Sequence, residues 1–214
     1  MSDKVERYRY YRKATDSLME KINVYLEDEI IRRVARTMGL ENSKGQVIMD
    51  EIGLIIAVAS AAMDYRVKGK TAIEKYYDER GAENDEEELL LNGLLNTYDS
   101  LFRVEEIDKP NSSMVLYDLM NKNEIILTDI GMTKSMASFS HEMLLFCKVL
   151  QIGDLWMTGG YSLPFVSGFE KLYASKYYSI VKKIKTKNPK IKRAAAFYQL
   201  YKKYGIDSKL GYVT

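Results

Sequence analysis

The stretch Met143–Phe165, MLLFCKVLQIGDLWMTGGYSLPF, decides how this chain is read. Its opening run, MLLFCKVLQ, is too apolar for a strand with one wet face, so it reads as a strand covered on both sides. Ile152-Gly153-Asp154 turns it into a second apolar run, LWMTGG, which carries the chain's only Trp. Gly159-Gly160 reads as the seam where a sheet hands over to a helix, because glycine suits a bend with positive φ. A phosphate-binding turn is the competing reading, and no Lys-Ser/Thr follows the pair to support it. Pro164-Phe165 then anchors the chain ahead of a helix capped by Ser167.

Working backwards, SLFRVEEID alternates with period two at Phe102 and Val104, KPNSS is a turn cluster, and MVLYDL and EIILTDI are strands separated by MNKN. GMTKSMASFSHE reads as a loop. About five short strands joined by tight turns predict a small antiparallel sheet or partial barrel over residues 100–165.

The first hundred residues read as helices. Leu18, Ile22, Leu26, Ile30, Val34 and Met38 recur every four positions, which predicts one helix over 14–38 ending at Gly39. Ser43 and Gln46 have capping-box spacing, which predicts a helix over about 44–68. Its middle, Ile52–Met63, is apolar nearly all round and is expected to be the central buried helix. At 12 residues that run is short of the roughly 20 that span a bilayer. Thr71 and Gly81 bracket a short helix. Acids at 85–88 open another, with Leu90, Leu91, Leu94 and Leu95 on one face. After Pro164 come two amphipathic helices: a stripe of Phe169, Leu172, Tyr173, Tyr177, Ile180, Val181 and Ile184, and a last segment after Pro189 ending at Gly205.

Net charge is +2, but it is unevenly laid out: +3 over residues 1–13, −11 over 14–165 and +10 over 166–214. Such layout bears on partners rather than fold. A single Cys excludes an internal disulfide framework and suits a reducing compartment. The first residues are charged from position 3 and Ser2 is not Gly, so neither a secretory signal nor myristoylation is expected.

No catalytic set stands out. His141, the only His, has Ser138, Ser140 and Glu142 as sequence neighbours alone, and a triad or zinc site needs more. Cys147 sits among apolar residues as a small hydrophobe. The acidic runs 27–29 and 85–88 read as a solvated face and a helix start rather than metal loops. Asp50, Glu51 and Asp64 flank the apolar helix and matter if one is buried. The strongest functional pattern is the basic C-terminal part, where Lys182, Lys183, Lys185, Lys190, Lys192, Arg193, Lys202 and Lys203 interleave with Tyr177, Tyr178, Phe197, Tyr198, Tyr201 and Tyr204. Cations neutralise phosphates and aromatic faces stack bases. The same spacing also fits tyrosines on a core-facing stripe with lysines on a solvated face.

The segments LFRVEEID, VLYDLMNKNEIILTD and MLLFCKVLQIGDLWMTGGYSLPF resemble a small β-module of bacterial proteins of unknown function, often found ahead of a Cys-rich SEC-C zinc tail. The shared pattern is a strand, an apolar-x-Asp-Leu turn (Asp118-Leu119) into a hairpin, Gly-Asp, an apolar strand, a small-residue turn and Pro164-Phe165. It covers roughly residues 100–165. Nothing after Cys147 supplies the cysteines and His of the tail, so no zinc or Sec-related role carries over. The resemblance implies a fold element and no activity.

The sequence thus predicts an α+β protein: a helical part over 1–99, a small antiparallel β part over 100–165, and basic C-terminal helices over 166–214, able to share one core. It predicts a non-enzymatic cytoplasmic interaction or scaffold protein, without cofactor, metal or membrane, acting on a protein partner or on itself. The alternatives are a nucleic-acid binder using the eight basic residues, and an enzyme with a small-molecule pocket between sheet and helices near Trp156 or His141.

Overall fold

The computed structural model describes residues 3–136 and 143–206. Five helices come first: α1 (Asp3–Asn23), α2 (Asp28–Thr37), α3 (Glu51–Met63), α4 (Ala72–Arg80) and α5 (Asp85–Leu95). Three strands follow, β1 (Tyr98–Asp108), β2 (Ser113–Asp118) and β3 (Glu124–Thr128), then a short helix, α6 (Ile130–Met136). The strands β4 (Met143–Ile152) and β5 (Leu155–Val166) precede α7 (Glu170–Val181) and α8 (Pro189–Tyr204). The α+β class, the N-terminal helices and the two C-terminal helices are as the sequence predicts.

The strands close into a barrel in the order β1-β2-β3-β5-β4. All neighbours are antiparallel except β3 and β5, which meet in parallel at Leu127 and Trp156. The partial barrel expected from the sequence is closed, and the one departure from antiparallel pairing is this joint, where β5 is long enough to reach back to β3. β5 runs unbroken to Val166, so Gly159-Gly160 is not a seam. The pair sits where the β4–β5 register slips. Cys147 pairs with Ser162 and Val149 with Thr158, leaving Gly159, Gly160 and Tyr161 opposite Lys148. This is a bulge, and Gly160 adopts a φ of 122° within it.

Both faces of β4 are buried, as its composition predicts. Met143, Leu145, Cys147 and Val149 join Phe102, Met114, Leu116 and Leu127 in the barrel's own core. The alternate residues meet the helices. Leu144 and Phe146 pack with Val34, Ile56, Phe165, Phe197 and Leu200. Leu150 and Ile152 pack with Leu18, Ile22, Ile73 and Leu91. Lys148 stands in that same outward row, between the two helical cores.

Several helix expectations are corrected. The four-residue recurrence over 14–38 spans two helices, because Leu18 and Ile22 serve one core while Ile30, Val34 and Met38 serve the other. Residues 44–50 are not helical: Asn42 Oδ1 accepts from the N–H of Lys44 and Gln46 at 2.9 and 3.0 Å and folds that segment as a turn. The cap of α3 is Asp50, accepting from Gly53 N at 2.7 Å, not Ser43. α3 is not covered all round, since Leu54 and Ile55 are exposed. Part of the loop expected over 131–142 is α6, whose first turn is capped by Asp129 through Met132 N at 2.9 Å. Ser167 does not cap α7; Phe169 holds that position without a side-chain bond. Thr71 and Glu74 do form a full capping box at α4.

Candidate functional site

The eight basic residues singled out from the sequence stand in different surroundings: three contact other elements and the rest do not pair among the described residues. α8 begins with Asn188 as its cap, accepting from Lys190 N and Ile191 N at 3.0 and 3.2 Å, and Pro189 at its first position. Its apolar stripe, Ile191 with Ala194 to Tyr198, Leu200 and Tyr201, is buried, so Phe197, Tyr198 and Tyr201 are core residues. Phe197 stacks on Phe146 of β4 at 3.9 Å between ring centroids.

This docking ties three of the cations to partners on other elements, although Lys190 and Lys202 stay exposed. Lys190 Nζ donates to Thr97 O at 3.1 Å and lies 3.6 Å from Asp64. Arg193 donates to Asp99 O at 2.8 Å. Lys202 pairs with Asp50 at 2.7 Å, and Tyr198 Oη donates to the same carboxylate at 3.0 Å. Burial works against ionised Asp50, but Lys202, Gly53 N–H and Tyr198 outweigh it and hold the carboxyl below its usual range. Lys192 is half-buried. Lys182, Lys183, Lys185 and Lys203 remain exposed, and none of them joins an ion pair among the described residues. Lys187, exposed in the same turn, belongs with them and was not singled out from the sequence.

α7 rests on α8 along one side only, and Tyr173 is its one buried residue. Phe169, Leu172 and Tyr178 are 52%, 40% and 65% exposed. At helical spacing, Lys171, Ser175, Tyr178 and Lys182 lie along the outward face. Lys176 and Lys183 flank it. Glu170 is the only carboxylate of α7, and it accepts from Gly168 N at 3.1 Å. The result is a basic face with one prominent phenol ring.

The N-terminal basic stretch has a different fate. α1 buries Val5 and Tyr8. Arg7 pairs with Asp154. Arg12 donates to Thr158 at 2.8 Å, lies 3.5 Å from Asp129, and stacks over Tyr8 at 5.4 Å.

A second cluster lies between barrel and helices; of its members the sequence singled out only Asp64, which is buried. Lys148 Nζ donates to Asp64 Oδ2 at 3.0 Å and Asp99 Oδ2 at 3.1 Å, and all three side chains have at most 1% exposure. Tyr161 Oη donates to Asp99. Asp64 ends α3, Asp99 is the direct cross-strand neighbour of Lys148 on β1, and Tyr161 comes from the β5 bulge. Burial disfavours the ammonium, yet Asp99 and Asp64 outweigh it and Lys148 is held above its usual value. Burial pushes the Asp64 carboxyl up, and Lys148 only partly offsets this. Burial and then Asp99 raise the Tyr161 phenol well above its usual 10.0. The start of α8 seals the cluster from outside: Asn188 donates to Asp64 O at 2.7 Å, beside the Lys190 and Arg193 contacts.

The signal that could have found this cluster was a lysine inside a strand too apolar to have a wet face. Such a residue must be buried, and a buried lysine needs carboxylates. The interface where a small-molecule pocket was considered is filled by Phe146, Lys148, Leu150 and Tyr161, all buried. Trp156 packs at the barrel core beside Tyr98, 6.0 Å away and edge-on. His141, Ser138, Ser140 and Glu142 lie outside the described residues. Cys147 is buried in the barrel, and burial raises its thiol far above the usual range. Among the described residues no group of three or more His, Cys, Asp or Glu is placed to hold a metal ion. No helix among them is long and apolar enough to cross a membrane.

Comparison with known proteins adds one finding. A model described as a family of unknown function, DUF7986, matches residues 2–210, and the chain belongs to that family. No curated protein and no solved structure matches it.

Proposed function

We propose that this DUF7986 chain is a non-enzymatic binding protein whose anionic partner docks on α7 and the turn into α8. The observation that carries the reading is the one-sided packing of α7. Its far side presents lysines without carboxylate partners among the described residues, and an exposed Tyr178 and Leu172. A purely solvated helix face mixes both charge signs and rarely exposes large apolar side chains side by side. The buried Lys148 cluster has no exposed surface from which to touch a substrate, and it supports the fold beneath this face rather than chemistry.

The test places a photo-crosslinking residue at Ser175, on the outward face of α7, and as control at Ile126, an exposed residue of β3. In cells, Ser175 is expected to capture a defined partner that Ile126 does not. Changing Lys182, Lys183 and Lys185 to Gln is expected to abolish the capture. Identical products from both positions, or none from Ser175, would overturn the reading.

A further inference from the structure

Resting on the reading of α7 as the docking element, we infer that its anionic partner is single-stranded nucleic acid, bound without sequence preference. Three features of the face point there. The first is charge: Lys171, Lys182, Lys183 and Lys185 are exposed, so the face suits a repeating chain of negative charge.

The second is Tyr178. Its ring is 65% exposed and meets Tyr177 at 5.6 Å and 70°, so most of it faces solvent rather than a stacked neighbour. It lies seven residues after Lys171 and four before Lys182, about 10 Å and 6 Å along the helix axis. A backbone held by the two lysines brings an unpaired base over the ring between them. Stacking of this kind needs a base free of its partner strand.

The third is what the face lacks. Reading base edges in a duplex groove uses Arg or Lys on guanine, Asn or Gln on adenine and acids on cytosine, with Ser and Thr serving either, and it is the planar amide and guanidinium forks that fix a sequence most sharply. The sequence of α7, EKLYASKYYSIV, holds no Arg, Asn or Gln, and its single Glu is tied to the Gly168 N–H. A face of lysine and tyrosine grips phosphate and stacks bases, but does not spell a sequence. An acidic protein segment would also match the charge, and the polyglutamate arm of the experiment separates it from nucleic acid.

The experiment is fluorescence anisotropy of the full chain with a labelled single-stranded RNA, a single-stranded DNA, a duplex DNA and a polyglutamate peptide, each across a salt series. Expected are single strands bound more tightly than duplex, with affinity falling steeply as salt rises. Changing Lys182, Lys183 and Lys185 together to Gln should flatten the log–log salt slope by about 2, since each phosphate contact on a single strand contributes about 0.7. Tyr178→Ala should weaken single-strand binding about tenfold and leave the salt slope unchanged. All of these positions are exposed, and circular dichroism with thermal melts confirms that the variants fold. Duplex binding as tight as single-strand binding, or no effect of Tyr178→Ala, overturns the inference. Binding of polyglutamate alone, lost in the triple variant, overturns it while leaving the proposed function standing. Failure of every probe together with failure of the Ser175 crosslink overturns both.

Discussion

Gly159 lies so close to Lys148 that a Cβ on the glycine would stand 2.9 Å from the lysine's Cγ. The bulge in β5 and the buried ammonium are therefore one feature: the strand gives up a side chain where the lysine stem must pass. Gly159 has no positive φ, so any substitution cost there is steric rather than conformational. Gly159→Ala is expected to destabilise the fold by about 1–3 kcal/mol. In a Lys148→Ala background the clash is gone, and the same change should cost much less. A double-mutant cycle by urea denaturation measures the coupling. Additive costs would mean that the glycine is required for some other reason.

The carboxylates around Lys148 make its removal worse than the loss of a contact. Lys148→Met leaves Asp64 and Asp99 buried without their cation, and a loss of about 3–5 kcal/mol is expected. Neutralising both acids as well, in Lys148→Met with Asp64→Asn and Asp99→Asn, should recover most of that loss. Chemical denaturation of the single and triple variants checks it. A triple variant no more stable than the single one would show that the lysine acts through packing of its stem rather than through charge.

The cluster also shapes the response to pH. The fold holds Lys148 protonated more firmly than the unfolded chain, whose ordinary value is 10.5, and holds Tyr161 neutral against an ordinary value of 10.0. Both contributions are complete below pH 10.0 and are lost as pH rises through the raised folded values. On the acid side, Glu74 and Glu87 sit below their ordinary 4.5. Burial opposes this for both. For Glu74 the Thr71 N–H and Arg66 outweigh it; for Glu87 the Tyr76 hydroxyl, the Glu83 N–H and Lys21 do so. Their contributions are present above pH 4.5 and lost as pH falls through the lowered values. Asp64 runs the other way, since its raised carboxyl favours the fold more strongly in acid. Urea midpoints from roughly pH 3 to 12 should show a plateau with both flanks falling. Tyr161→Phe should soften the alkaline flank and Glu87→Gln the acid one. Wild-type midpoints that stay level above pH 10.0 would contradict the assignment for Lys148 and Tyr161.

The helices were legible wherever local chemistry decides them. Thr71 with Glu74, the acids opening α5 and the apolar stripe of α8 all act within a turn or two of themselves. The failures share a cause: the deciding partner is distant in the chain. The split between α1 and α2 depends on two separate cores. Barrel closure depends on Leu127 meeting Trp156. Gly159-Gly160 reads as a bend until Lys148 is placed opposite. The C-terminal lysines were legible as a basic region but not sorted, because Lys190, Arg193 and Lys202 turn toward Thr97, Asp99 and Asp50, some 90 to 150 residues upstream.

The parallel joint between β3 and β5 makes the barrel a ring with a clasp. Every other strand pair is a ladder of several residues, while this one is registered at Leu127 and Trp156 alone. If the ring opens anywhere short of unfolding, it opens there, and the indole at the clasp is the only one in the chain. The protein therefore carries its own optical gauge: were the barrel to part at that joint, tryptophan emission would report it with no label attached.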